Sequence, residues 1–180
     1  MARPIVIWPH KVLTSPARAV AAFDDALGKL LGDMEESMRH AEGIGIAANQ
    51  IGVGLKVAWV GREDGTFFEI ANPAVIEKTE PVSLEEGCLS VPHEWEPTPR
   101  FGKVRVRYQD RTGAEHELEA EGRLAHVLQH EIDHLDGTTF VEHLSQLKRA
   151  LIRKRMQKLQ KERTAEAEGG HVHSDDCDHD

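Results

Sequence analysis

His130-Glu131-Ile132-Asp133-His134 is the stretch on which the reading of this chain turns. Positions four apart on an α-helix stand one turn along and about 40° apart around the axis, so both imidazoles reach one point in space. Working outward, the apolar periodicity predicts a helix over 122–136, with Leu124, Val127, Leu128 and Leu135 on its buried side and Gly137 ending it. Glu131 projects about 100° round from His130 and falls on that same core-facing stripe. A carboxylate there is costly unless it has a partner or a task. Burial raises a carboxyl pKa, which suits a general base working near neutral pH. Two histidines and a glutamate at this spacing therefore point to metal-assisted hydrolysis, in which the ion lowers the pKa of water and the carboxylate takes its proton. The bland alternative is two surface histidines and a solvent-facing Glu, since H-E-x-x-H has only three fixed positions.

A metal site needs a third ligand. Downstream candidates are Glu142 and His143; upstream lies Cys88, in Glu86-Gly87-Cys88-Leu89-Ser90-Val91-Pro92. Taken alone, Cys88 reads as an ordinary small core residue. A further segment, Gly43-Ile44-Gly45-Ile46-Ala47-Ala48-Asn49-Gln50-Ile51-Gly52, has glycines that permit close approach of another backbone or a substrate. Gln50 sets a hydrogen-bond donor beside its apolar run.

Together, G-I-G-I-A-A-N-Q at 43–50, E-G-C-L-S at 86–90 and Q-H-E-I-D-H at 129–134 resemble the three signature motifs of peptide deformylases, in order and spacing. Asn72-Pro73 and the Leu144–Lys148 segment resemble the family too, and the likeness covers roughly residues 3–160. It implies an α+β fold, with a central H-E-x-x-H helix surrounded by small antiparallel β-sheets and a C-terminal helix packed outside. It implies hydrolytic removal of the N-formyl group from N-formylmethionine of nascent polypeptides, releasing formate. Residue by residue, it implies Cys88, His130 and His134 as metal ligands and Glu131 as the acid/base. Gln50 and the backbone N–H of Leu89 match the oxyanion donors. Gly45 matches the backbone that pairs with an extended peptide, Ile44 lines the methionine site, and Glu86 and His126 fall near it. The family usually uses ferrous iron; one thiolate and two imidazoles also accept Zn²⁺, Ni²⁺ or Co²⁺. A zinc endopeptidase shares H-E-x-x-H but leaves Cys88 and the 43–50 segment without a role. A deformylase-like domain kept only for ribosome or metal binding is the non-enzymatic alternative.

The remaining sequence bounds these readings. The 180 residues suit one domain, and the net charge of −9 is uneven. From Thr164 on there are six acids and no Lys or Arg, which leaves −3 for residues 1–163. Neither nucleic-acid binding nor an acidic substrate follows from that total. No apolar run approaches a signal-peptide core or a membrane span, so the expected location is cytoplasmic and the expected state a monomer. A second helix is predicted over 23–38, capped by Asp24 and stopped at Gly43, and strands are expected at 55–60, 67–71, 104–108 and 115–120. Pro97 and Pro99 mark a loop edge. A last helix is expected from Ser145 to about Arg163, with Leu147, Leu151, Met156 and Leu159 facing inward. It holds eight of the 22 basic residues, read either as a solvated face or, as the resemblance to the family implies, as a contact for ribosomal RNA. Residues 1–164 then form the catalytic domain. The 165–180 tail reads as disordered, although His171, His173, Cys177 and His179 have metal-binding character. One departure from the family pattern is His93-Glu94-Trp95-Glu96 at the rim of the substrate site, where Trp95 bears on preference beyond methionine.

Overall fold

The expected H-E-x-x-H helix is α2, Gly122–Leu135, in the computed structural model, which describes residues 1–169. Asp136 caps it, and Gly137 follows at φ 79°, the left-handed conformation that ends helices and that side chains rarely tolerate. A Cβ on Gly137 would also lie 2.6 Å from the carbonyl carbon of Ser15, so the position needs glycine on both counts. The buried face of α2 places Val127, Leu128, Ile132 and Leu135 against sheet residues Ala58, Val60, Ile70, Val104 and Val106. Each such side chain contributes about 1.5–3 kcal/mol by leaving water.

The strands are β1 (Gly45–Ala47), β2 (Val57–Gly61), β3 (Phe67–Cys88), β4 (Val91–Gln109) and β5 (Glu115–Glu121). They join in one antiparallel sheet of order β1-β2-β3-β4-β5. β2 is buried on both faces: Val57 and Trp59 pack under α1 (Asp25–His40), while Ala58 and Val60 pack under α2. The H-E-x-x-H helix therefore lies on one side of a sheet whose other side α1 covers.

Helix α1 starts where its cap was expected, with the Asp24 carboxylate accepting the Leu27 N–H. It stops before Gly43. Glu42 takes the left-handed conformation at φ 55°, and the Gly43 and Glu42 N–H groups close back on the Met38 and Arg39 carbonyls in a Schellman turn. Gly43 serves instead as a point of close approach, since a Cβ there would lie 2.9 Å from Leu89 Cδ1.

Strands β3 and β4 are far longer than the sequence suggests. Pro97 and Pro99, expected at a loop edge, lie within β4, paired with Glu85 and Ser83. This works because β5 pairs only with 103–109 of β4, so the 91–102 half has a single neighbour and a missing N–H on its outer side goes unnoticed. The last helix, α3, runs Gln146–Gly169, past the expected Arg163, with Ser145 Oγ accepting the Lys148 N–H. The Thr164–Gly169 stretch is rich in Ala and Glu, good helix formers that extend it. Its buried stripe is Ile152 and Met156, with Leu159 packed beside it, whereas Leu147 and Leu151 are 70% and 47% exposed. The stripe touching the body is narrow, and those two leucines lie to one side of it. Residues 170–180, with His171, His173, Cys177 and His179, lie outside the described residues.

The N-terminal segment ties the site region together. Val6 N–H donates to the Gln50 carbonyl at 2.8 Å and Trp8 N–H to the Ser90 carbonyl at 2.9 Å. Among the described residues no helix is long and apolar enough to cross a membrane.

Candidate metal centre

One turn of α2 presents His130 and His134, and the end of β3 presents Cys88. His134 Nε2 lies 3.2 Å from Cys88 Sγ and 3.2 Å from His130 Nε2. Among the described residues these three offer donor atoms within 4.8 Å of one another. One proton cannot serve one sulfur and two ring nitrogens that converge on a common point, whereas a cation can. The donor set, one soft sulfur and two imidazoles, suits a divalent transition-metal ion. Burial, joined by the positive field of His130, holds the His134 pKa well below the ordinary imidazole value, which leaves the neutral ring that ligation requires. His130 is shifted the opposite way: burial opposes its charge, but bonds to Cys88 and Glu86 outweigh it. Glu142 and His143 are occupied elsewhere. Glu142 accepts from Thr139 and Trp8, and His143 Nε2 contacts Asp133 Oδ2 at 2.9 Å.

A buried charge network orients His130. Its Nδ1 meets Glu86 Oε1 at 2.5 Å, and Arg100 grips the same carboxylate through Nε (2.9 Å) and Nη2 (2.6 Å). His126 Nε2 lies 2.8 Å from Glu86 Oε2, and Arg100 Nη1 donates to Asp133 Oδ2 at 2.6 Å. Burial alone would raise the Glu86 pKa, yet the bonds from Arg100, His126 and His130 win and hold it far below the usual carboxylate range. Glu86, expected near the methionine site, lines the cleft and turns its carboxylate towards Arg100 and the two histidines.

Glu131 behaves differently. It is 3% exposed, its Oε2 has no hydrogen-bond partner among the described residues, and burial pushes its carboxyl up to about 7. It lies against Gly45, where a Cβ would collide with Glu131 Oε1 and approach the Trp59 carbonyl at 3.1 Å. The missing side chain at 45 makes room for the carboxylate. Gln50 is anchored by its Oε1, which accepts the Ala47 N–H at 2.9 Å, and this turns its Nε2 towards Ser90 Oγ (3.3 Å) and Cys88 Sγ (3.6 Å).

A cleft of about 430 Å³ opens onto these groups. Of the expected site residues, Ile44, Gly45, Gln50, Glu86, Cys88, Leu89, His126, His130 and Glu131 all line it. His134 lies fully buried behind them. Sequence reasoning missed Arg100, Asp133 and Asn49, whose Nδ2 donates to the His134 carbonyl. Asp133 sat inside the quoted motif and could have been suspected. Arg100 had no local signal, because its partners come from 14 and 33 positions away.

A sulfur and two imidazoles converging beside an unpaired, buried carboxylate at the end of a cleft define a mononuclear metal-dependent hydrolase. The polypeptide deformylase family model matches residues 2–150. The peptide deformylase of Methylocella silvestris is 46% identical over 167 residues, spanning 88% of this chain and 85% of that protein. That of Desulfotalea psychrophila is 46% identical over 159 residues, spanning 86% and 94%. The crystal structure of a peptide deformylase from Legionella pneumophila superposes with a TM-score of 0.85 at 38% identity, covering 91% of this chain and 98% of the other. The chain belongs to the polypeptide deformylase family. It is accordingly a hydrolase whose reaction is removal of the N-formyl group from formylmethionyl polypeptides.

Proposed function

We propose that Cys88, His130 and His134 hold one divalent ion, ferrous iron in the cell, and that Glu131, Gln50 and Leu89 carry hydrolysis of the formyl amide beside it. The observation that carries this reading is the unpartnered, buried Glu131 carboxylate adjoining a convergent sulfur–nitrogen–nitrogen set. When bound, the ion supplies Lewis-acid polarisation of the reacting oxygens and lowers the pKa of water. The formylated methionine enters the cleft past Ile44, which is half exposed at its wall. β1 is the edge strand of the sheet, so the N–H and C=O of Gly45, which face away from β2, can pair with an extended peptide. Glu131 takes the proton of the attacking water on its carboxylate and returns it to the amine nitrogen as the formyl C–N bond breaks. Gln50 Nε2 and the Leu89 N–H donate to the oxygen that becomes negative in between, where preorganised donors matter most. Glu86 and Arg100 keep the His130 ring turned to its task.

The test is formate release from formyl-Met-Ala-Ser by protein prepared anaerobically with Fe²⁺ or Ni²⁺. Release is expected to fall to background after chelation and to return when stoichiometric metal is restored. Release that persists in protein shown by elemental analysis to be metal-free would overturn the assignment. The ribosome is the proposed docking partner through α3. Lys154, Lys161 and Arg163 lie exposed along it, as phosphate contact requires. Co-sedimentation with ribosomes should weaken steeply with added salt and with Gln at these three positions; salt-independent sedimentation would exclude this mode.

A further inference from the structure

The rim segment His93–Glu96 is fastened on one side and open on the other. Glu94 and Glu96 turn towards α3. Arg155 grips Glu94 through Nε and Nη2, the latter at 2.7 Å, and Lys148 Nζ meets Glu96 Oε2 at 2.5 Å. Both carboxylates are largely sheltered, while Lys148 and Arg155 reach them from the solvent side. Trp95 stands between them on an extended strand, so its side chain points to the opposite face. There its ring lies over Gly87, its partner in register; a Cβ on Gly87 would come within 2.9 Å of three indole atoms. Gly87 immediately precedes the ligand Cys88, and Trp95 lines the same cleft as Ile44 and Leu89. Yet Trp95 is 66% exposed, a large apolar surface held in place and left uncovered among the described residues.

We propose that Trp95 is a specificity-determining residue, an apolar wall for the side chain of one of the two residues that follow the formylmethionine, and that Arg155 and Lys148 are positioning residues that hold this wall through Glu94 and Glu96. The proposal rests on the deformylase reading and adds to it a preference for aromatic or large aliphatic side chains just beyond methionine. A rigid indole stacked on backbone loses little freedom on binding a second apolar group, and it offers a face suited to an aromatic ring.

Two peptide series test it, formyl-Met-Xaa-Ser and formyl-Met-Gly-Xaa, with Xaa as Gly, Leu or Phe. The holoenzyme should show a kcat/KM for Phe over Gly of roughly three- to tenfold in one series, the scale of a single aromatic contact, expressed in KM rather than kcat. Trp95→Ala should bring that ratio close to unity and Trp95→Phe should keep most of it. Arg155→Gln and Lys148→Gln should reduce it, and Arg155→Lys should restore part. A second readout is independent of turnover. Of the three tryptophans, Trp8 and Trp59 are 0% and 6% exposed, so acrylamide quenching of fluorescence reports Trp95. Quenching should rise in Arg155→Gln and fall when the Phe peptide binds. Equal rates for Phe and Gly peptides in both series, a preference surviving Trp95→Ala, or an equal loss of kcat on all peptides would overturn the proposal while leaving the deformylase reading intact. No formate from any peptide, with Trp95 still shielded by the Phe peptide, would instead sink the reaction and keep the wall.

Discussion

Glu131→Gln is expected to lower kcat for formate release roughly 10²- to 10⁴-fold, the range general acid–base catalysis contributes, while the purified protein keeps its metal. Gln is nearly isosteric with Glu, so the space cleared by Gly45 still fits it. It lacks a site that accepts a proton, so the step from water to the leaving amine has no carrier. The folded protein should not suffer. The carboxylate is buried with one oxygen unpartnered, a placement that costs stability, and removing its charge relieves that cost. Melting temperature at least equal to wild type, full metal occupancy and near-background turnover form the expected signature. That combination separates a lost proton carrier from a lost ligand, because Cys88→Ala or His134→Ala would empty the site as well as silence it. A Glu131→Gln protein that loads metal and still turns over within tenfold of wild type would show that another group moves the proton.

How much of this was legible beforehand depended on how local each cause is. Helix α2 was read nearly residue for residue, because its apolar stripe, its paired histidines and Gly137 all lie within sixteen consecutive positions. The buried position of Glu131 followed from the same wheel, and so did the raised carboxyl pKa. The stop of α1 was misplaced because Glu42, not a glycine, adopts the left-handed turn, a choice that composition does not favour. The long β3–β4 hairpin was invisible for a different reason. Its strands carry prolines and charged residues that argue against sheet, and only the single-neighbour edge, a tertiary fact, makes them tolerable. The inward face of α3 failed likewise. Leu147 and Ile152 are both apolar, and the docking angle on Trp8 and Phe140, rather than periodicity, decides which is buried. The three motif segments were legible one by one as chemistry. Their convergence was legible only through resemblance, because nothing local sets Cys88 beside two histidines more than forty residues on.

Arg100→Met is the substitution with the largest expected effect on stability: a loss of about 3–5 kcal/mol, the cost of breaking a buried ion pair from one side. In a domain of this size that is a fall of roughly 6–20 °C in melting temperature. Methionine fills much of the volume, so the cost lies in what it abandons. Glu86 and Asp133 would keep their carboxylates where Arg100 had supplied three of their hydrogen bonds. The loss should shrink in acid, and its sign is fixed. Both carboxyls are depressed in the folded state, where burial is outweighed by Arg100 and the histidines. Their contribution is therefore complete above the unfolded carboxyl pKa of about 4 and disappears as pH falls through the lower folded values. The gap between wild type and variant should thus begin to close below roughly pH 4 and narrow further as pH falls. Adding Glu86→Gln to Arg100→Met should recover part of the loss at neutral pH by removing one stranded charge. The damage should also reach the metal. With Glu86 free to turn, the His130 ring loses its fixed orientation, and affinity should fall on the order of 10- to 100-fold, read by competition with a chromophoric chelator. A cost below about 1 kcal/mol, typical of an exposed pair, would mean that water reaches this cluster and that Arg100 is not what holds His130 in place.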